Sequence, residues 1–216
     1  MMKLKKELPL IVIVLLPFVY LAYIWNQIPE RVPIHWNIHG EIDRYGVKLE
    51  LLIIPILLPL LMYLIFLIIP KIDPKNNLQR MGNKLQTLKV LLTSGMSLLA
   101  LYILHLVKSQ SHSNFDYVIL SIGITYIILG NYFQAIRTNY FIGIRTPWTL
   151  RNESTWKKTH KLAGKMWFIG GVLVVLSVLF LNFQASIVIF GIVTAIIVIY
   201  PIIYSYVVYN QTLNLE

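Results

Sequence analysis

Residues 166–209 read MWFIGGVLVVLSVLFLNFQASIVIFGIVTAIIVIYPIIYSYVVY, an almost unbroken apolar stretch. As a single helix with a rise of about 1.5 Å per residue it would be roughly 66 Å long, twice the roughly 30 Å of a bilayer's hydrocarbon core. The stretch must therefore fold back on itself, and the polar residues Asn182 and Gln184 mark the place. It predicts two membrane spans, 166–181 and 185–208, joined by a tight turn.

The composition of the whole chain points to the same environment. Of its 216 residues 57% are hydrophobic and 13% charged, whereas soluble proteins average about 25% charged residues. Four further apolar segments, 8–27, 51–70, 90–107 and 115–133, are long enough to cross a bilayer as helices. We therefore predict an all-α integral membrane protein with six transmembrane helices. The first apolar stretch exceeds that of a cleavable signal peptide, so we expect an uncleaved anchor.

The distribution of positive charge predicts the orientation. With the N-terminus in the cytoplasm, all of the 19 Lys and Arg residues fall on the cytoplasmic side except Arg31, Arg44, Lys48 and Lys108. The positive-inside rule then places both termini in the cytoplasm. The net charge of +10 is thus explained by topology, and we expect no direct contact with nucleic acid.

Residues that could carry chemistry are scarce in the spans. The chain has no cysteine, which excludes disulfides, thiolate nucleophiles and cysteine-based metal sites. A charge deep in a span usually marks an ion or substrate path, but no carboxylate lies deep in a predicted span, and Lys89 is within snorkelling reach of the interface. We expect no catalytic residue and no cofactor. Small residues such as Gly123, Gly130 and Gly171 predict close helix packing within the chain, with a homodimer face as the alternative.

The spans divide the chain into two expected parts. Residues 1–80 form a membrane hairpin with a structured extracytoplasmic loop at 28–49. Residues 81–216 form a four-helix membrane region with a cytoplasmic loop at 137–165.

The extracytoplasmic loop contains IPERVPIHWNIHGEIDRYGVK at 28–48. Its prolines exclude a regular helix at its start, and Gly40 and Gly46 predict turns. Three interpretations stay open: a purely structural turn, a metal site and a surface that recognises a ligand from outside. The metal site is disfavoured because the spacing of His35 and His39 aligns the two rings only on a helix.

The cytoplasmic loop begins with NYFIGIRTPWTL at 139–150. Beyond it, a period of about 100° per residue gathers four lysines on one arc and an aromatic group on another. The lysines are Lys157, Lys158, Lys161 and Lys165, and the second arc holds Trp156, His160, Ala163 and Trp167. This pattern predicts an interfacial amphipathic helix before the fifth span, with its basic face on anionic headgroups of membrane lipids.

These two loops resemble the SdpI-type immunity proteins of bacteria and the small domain that often precedes their signature. The outer loop shares the prolines, a His-aromatic-Asn group and Gly-x-x-Asp, carried here by Pro33, His35, Trp36, Asn37, Gly40 and Asp43. The inner loop shares the more specific signature, carried by Asn139, Gly143, Arg145, Thr146, Pro147, Trp148, Thr149, Leu150, Trp156, Lys157, His160 and Gly164.

The resemblance implies a multipass protein of the bacterial plasma membrane that protects its producer from a small secreted hydrophobic peptide toxin. The outer residues would recognise the toxin, and the inner ones would form the signature loop, with Arg145 organising it through carbonyls or lipid phosphate. A second implied role is the capture of a cytoplasmic transcriptional autorepressor. A small membrane carrier or lipid-phase enzyme is the alternative, a purely structural protein is a third reading, and the oligomeric state stays open.

Overall fold

The computed structural model describes residues 2–109 and 116–213, so Phe115, the first residue of the predicted fourth span, lies outside it. Six of its helices are long and apolar enough to cross a membrane, which confirms the six-span prediction. They are α1 (Met2–Ile24), α2 (Lys48–Ile72), α3 (Asn83–Ser109), α4 (Asp116–Phe133), α6 (Glu153–Phe180) and α7 (Phe183–Leu213), with the short helix α5 at Pro147–Arg151. The division at residue 80 and the side that carries the termini stay predictions.

Asparagine side chains cap the N-termini of the two longest apolar helices, α6 and α7. Asn152 Oδ1 accepts the backbone N–H of Thr155 at 2.8 Å at the start of α6. Asn182 Oδ1 accepts the N–H of Ala185 at 2.9 Å at the start of α7. Such caps satisfy N–H groups that have no partner within the helix. The chain therefore turns back at Asn182, as the polar break in the apolar stretch predicts.

Helix α2 is irregular around its prolines. Residues Ile56–Leu60 form a π-helical turn that contains Pro59, and α-helix resumes at Leu61. Proline has no N–H for the helical ladder, and a local π adjustment redistributes the bonds that it removes.

The loop between α1 and α2 is a β-hairpin, which the all-α prediction did not include. Strands β1 (Arg31–Trp36) and β2 (Ile42–Val47) pair antiparallel, with Val32 opposite Gly46. Val32 is fully buried and packs with Leu51 and Leu104 at the ends of α2 and α3. The two buried residues of β1, Val32 and Pro33, are adjacent and give no alternation, so the sequence predicted a structured loop without its strands. We call this end of the helix bundle the hairpin face.

At the opposite end lie the N-terminus of α1, the loop 73–82, the loop 134–152 and the end of α7; we call this end the basic face. The predicted amphipathic helix is present here as the first turns of α6 and not as a separate helix along the interface. Its lysines are exposed, whereas Trp156 is 1% exposed and packs within the protein. The aromatic arc thus packs against a protein core.

A buried ion pair joins α1 to α3 near the basic face. Lys89 Nζ lies 2.5 Å from Glu7 Oε1, and the two side chains are 7% and 22% exposed. Lys89, which the sequence places within snorkelling reach of the interface, is thus paired with a carboxylate from another helix. Removing one member of such a pair leaves an uncompensated buried charge.

Helices α4 and α6 approach each other through two pairs of glycines. A Cβ added to Gly164 would lie 2.8 Å from the carbonyl oxygen of Gly130, and one added to Gly171 would lie 2.6 Å from that of Gly123. On each helix the two glycines are seven residues apart, so they lie on one face of that helix. Only glycine permits this backbone contact, and the small residues thus pack helices of the same chain.

We expect Gly130→Ala to destabilise the protein by roughly 1–3 kcal/mol, because the new methyl group would overlap the backbone of α6. This corresponds to a fall of several degrees in the midpoint of thermal unfolding in detergent. Gly191→Ala is the matched control, since nothing lies within 4 Å of its added Cβ. Equal midpoints for the two variants would contradict the proposed close contact.

Candidate functional site

Asn37 organises the tip of the outer hairpin. Its side-chain oxygen accepts the N–H groups of His39 and Glu41 at 2.8 and 3.0 Å, and its amide donates to the Glu41 carboxylate at 3.0 Å. The chain reverses at Gly40, whose φ of 78° favours glycine. Asn37 and Gly40, both predicted site residues, therefore shape the turn and do not face the cavity described next.

A partly open cavity of about 450 Å³ lies between the hairpin and the ends of the helices. The predicted residues Pro33, His35 and Trp36 line it, together with mainly aliphatic side chains of α2 and α3 that include Ile54 and Ile103. Its size is that of a small-molecule or side-chain pocket. Its largely apolar wall offers room for an apolar group.

His35 and Asp43 form an exposed pair at the rim of this cavity. Nδ1 of His35 lies 2.6 Å from Oδ1 of Asp43, across a register shift between the strands. Within the described ranges, no three His, Cys, Asp or Glu side chains are grouped as a metal ion would require. The geometry orients the His35 ring and supplies no metal ligand set.

Asn139 organises the inner loop in the same way as Asn37 organises the tip of the hairpin. It is fully buried, and its oxygen accepts the N–H groups of Phe141 and Ile142 at 2.8 and 2.7 Å. Its amide donates to the carbonyls of Arg137 and Ile142 at 2.8 and 3.0 Å. With four hydrogen bonds, one side chain satisfies the backbone of a turn that leaves the membrane region.

His160 ties this turn to α6. Its Nε2 accepts the N–H of Ile144 at 3.0 Å, so the proton lies on Nδ1, which donates to the carbonyl of Trp156 at 2.9 Å. The ring stacks on Trp156 with 4.0 Å between centroids. Gly143 has a φ of 110°, and a Cβ there would collide with His160 Nε2. The positions of Gly143 and His160 in the signature are therefore explained by one contact.

The Thr-Pro-Trp-Thr segment forms the cap and first turn of α5. The hydroxyl of Thr146 accepts the N–H of Thr149 at 3.2 Å, while Thr149 Oγ1 accepts the N–H of Thr146 at 2.9 Å. Pro147 occupies the first helical position, where its missing N–H costs nothing. Trp148 donates to the hydroxyl of Ser205 on α7 and meets Tyr206 edge to face at 5.3 Å.

The remaining signature residues have different surroundings. Arg145 is exposed and donates from Nη1 to the carbonyl of Tyr140 at 2.8 Å, one of the two partners that the sequence suggested. Leu150 packs against the buried cluster around Trp156. Lys157 is exposed and pairs with Glu153 at 2.8 Å, and Gly164 forms the close contact between α4 and α6.

The structure thus assembles the inner signature into one unit and keeps it at the opposite end of the bundle from the hairpin. The sequence analysis missed Ser205, which anchors Trp148 from a helix almost 60 residues later. A lone serine in an apolar span was the available signal, but it did not indicate a partner. It also missed Ile136, whose carbonyl accepts the Trp156 indole N–H at 2.8 Å.

Together, the six spans and the two structured ends define a multipass integral membrane protein. The model of the SdpI/YfhL protein family matches residues 135–205, which include the whole of the loop predicted at 137–165. The model of a domain of unknown function, DUF1648, matches residues 12–58 and includes the hairpin.

A curated relative extends the similarity over most of the chain. The "Immunity protein SdpI" of Bacillus subtilis (strain 168) is 30% identical over 175 residues, which are 79% of this chain and 80% of the relative. The chain belongs to the SdpI family of immunity proteins and is a multipass protein of the cell membrane. No solved structure matches it.

We expect His160→Ala to lower the free energy of unfolding by roughly 2–5 kcal/mol, because it leaves the Ile144 N–H without its acceptor and removes a buried ring. His160→Gln should recover part of the loss, since its side-chain oxygen can replace Nε2. Thermal unfolding in detergent, followed by tryptophan fluorescence, measures both. The exposed neighbour Lys161→Ala is the control, and a His160→Ala protein as stable as this control would refute the role of the histidine.

Proposed function

We propose that this protein protects its cell from a secreted hydrophobic peptide toxin. The observation that carries the proposal is its similarity, over 79% of the chain, to a protein named for immunity. The two family models also match the two ends of the bundle at which polar side chains are organised. The family is one of immunity proteins and not of enzymes.

The apolar cavity at the hairpin face supports recognition of such a peptide. Its aliphatic wall comes from two spans, whereas its polar lining consists of His35, Arg44 and Glu50. A hydrophobic peptide reaching the membrane surface would place an apolar side chain between Trp36 and Ile103, while the rim contacts its backbone. In this proposal the residues of the hairpin tip hold the shape of the turn and do not all touch the toxin.

Binding at the hairpin would act on the helices that it caps. Val32 and Trp36 pack with the ends of α2 and α3, whose other ends lie beside the basic loops. A shift of these helices would reach the signature loop through the cluster that holds Leu78 and Trp156. We also propose that the basic face is cytoplasmic and captures a transcriptional autorepressor when toxin is bound; the exposed Arg145 and Lys158 support a contact with an acidic partner.

A lipid-phase enzyme or carrier would require His35, Asp43 and Glu41 to converge on the cavity. His35 and Asp43 do pair, but the Glu41 carboxylate accepts from Asn37 at the hairpin tip. The acid-base group therefore lacks the third member that this alternative requires, and we do not propose it.

The proposal is tested by survival of a Bacillus subtilis 168 strain that lacks its own Immunity protein SdpI and expresses this chain. Cells are exposed to culture medium of the parent strain. The unaltered protein should protect, whereas Ile103→Phe should fill the cavity and weaken toxin binding about tenfold or more, since overpacking costs roughly 1–3 kcal/mol.

The matched control is Ile196→Phe, the same substitution at a residue that is 52% exposed on α7 and belongs to no wall of the cavity. Membrane levels of all three proteins are compared by immunoblot. Protection by none of them would refute the immunity proposal. Equal protection by all three would refute the role of the cavity alone.

A further inference from the structure

A second cavity, of about 640 Å³, lies at the basic face. Its lining includes five cationic side chains and one carboxylate, namely Lys75, Arg80, Arg137, Arg151, Lys157 and Glu153. Two of the cations come from the loop between α2 and α3, and three from the segment around the signature loop. The volume is within the range of small-molecule sites, roughly 300–1,000 Å³.

The positive charge of this cavity is largely uncompensated. Its one carboxylate, Glu153, already pairs with Lys157 at 2.8 Å. In the part of the chain that the structure describes, Arg80, Arg137 and Arg151 form no ion pair. Like charges that line one cavity repel each other, so an anion that neutralises them would stabilise the folded protein.

The two walls are held in place by contacts that do not involve the three arginines. The Asn77 amide donates to the carbonyl of Thr138 at 2.8 Å, and Lys75 Nζ lies 5.1 Å from the centroid of the Tyr140 ring. Asp73, itself buried, accepts the N–H groups of Lys75 and Leu78 at 3.3 and 3.0 Å. Among the described residues these wall contacts do not use the guanidinium groups of the three arginines, which are therefore available to a ligand.

The position of the cavity at the ends of the helices limits the chemical class of the ligand that could reach it. Arg80 lies three residues before α3, Arg137 four residues after α4 and Arg151 two residues before α6. All three therefore lie in segments that flank the ends of long apolar helices, where lipid phosphates are one source of anions. The planar guanidinium matches the geometry of a phosphate group by donating two parallel hydrogen bonds, and basic pockets between membrane helices suit anionic headgroups.

We propose that this cavity binds a phosphate group, carried by an anionic phospholipid or by a soluble phosphate compound. The phosphate would sit among Arg80, Arg137 and Arg151 and connect the loop between α2 and α3 to the signature segment. The site is independent of the toxin proposal, because it uses other residues at the other end of the bundle.

The full chain, purified in dodecyl maltoside, is unfolded thermally with phosphatidylglycerol, with phosphatidylcholine, with inorganic phosphate or pyrophosphate, and with polyglutamate. We expect phosphatidylglycerol to raise the unfolding midpoint by roughly 3–5 °C, the effect of one occupied site in a chain of this length. Phosphatidylcholine should have no effect. A rise with inorganic phosphate or pyrophosphate alone would assign the site to a soluble compound.

The variant R80Q/R137Q should lose most of the rise, whereas K158Q/K161Q should keep it. Both remove two positive charges from the basic face, but Lys158 and Lys161 do not line the cavity. If R80Q/R137Q does not fold, Arg151→Gln takes its place, with lipid retention measured by native mass spectrometry. Three results would overturn the proposal. The first is an equal loss of the rise in the cavity and control variants, and the second is a rise with polyglutamate alone. The third is an unfolding midpoint that no phosphate compound raises.

Discussion

Hydrocarbon offers no hydrogen-bond partner to a polypeptide backbone, and this constraint shapes the whole molecule. Within the spans the backbone groups are satisfied by helical hydrogen bonds, with the π-helical turn around Pro59 as a local irregularity, so the turns and loops lie at the two ends of the bundle. Each end then needs side chains that satisfy the turns. Asn37 serves the hairpin and Asn139 the inner loop, and each accepts two backbone N–H groups with a single oxygen. Asn152 and Asn182 cap helices by the same chemistry.

The geometry of the two ends matters because packed helices join them. The hairpin packs on the ends of α1, α2 and α3, and the basic face is built around Trp156, which contacts the cluster of Leu78 and Phe133. Paired glycines allow α4 and α6 to pack backbone to backbone. A ligand at the hairpin would therefore act on rigid elements, while an anion at the basic face would fix the loops at the other end of those elements. In the proposed function, these two contacts are the route by which binding at the hairpin would affect the other end of the bundle.

Apolar length made the six spans and the turn at Asn182 predictable, and motif resemblance made the family predictable, since both are properties of contiguous sequence. What could not be predicted depends on partners far apart in the chain. Lys89 is paired with Glu7, and Trp148 is anchored by Ser205, although nothing near either residue indicates its partner. The hairpin strands were missed because proline and glycine interrupt them and one face has little buried surface. The prediction of an amphipathic helix was correct for the first turns of α6. Periodicity alone, however, cannot distinguish a helix face that contacts lipid from one that contacts protein.

The central claim is that six crossings place the hairpin and the signature loop on opposite sides of the membrane. The chain has no cysteine, so single substitutions report cleanly. Ile38→Cys, at a residue 65% exposed on the hairpin, and Lys158→Cys, on the exposed face of α6, are treated with a membrane-impermeant maleimide. The account predicts that intact cells label the first protein and that only lysed cells label the second. Labelling of both positions in intact cells would contradict it.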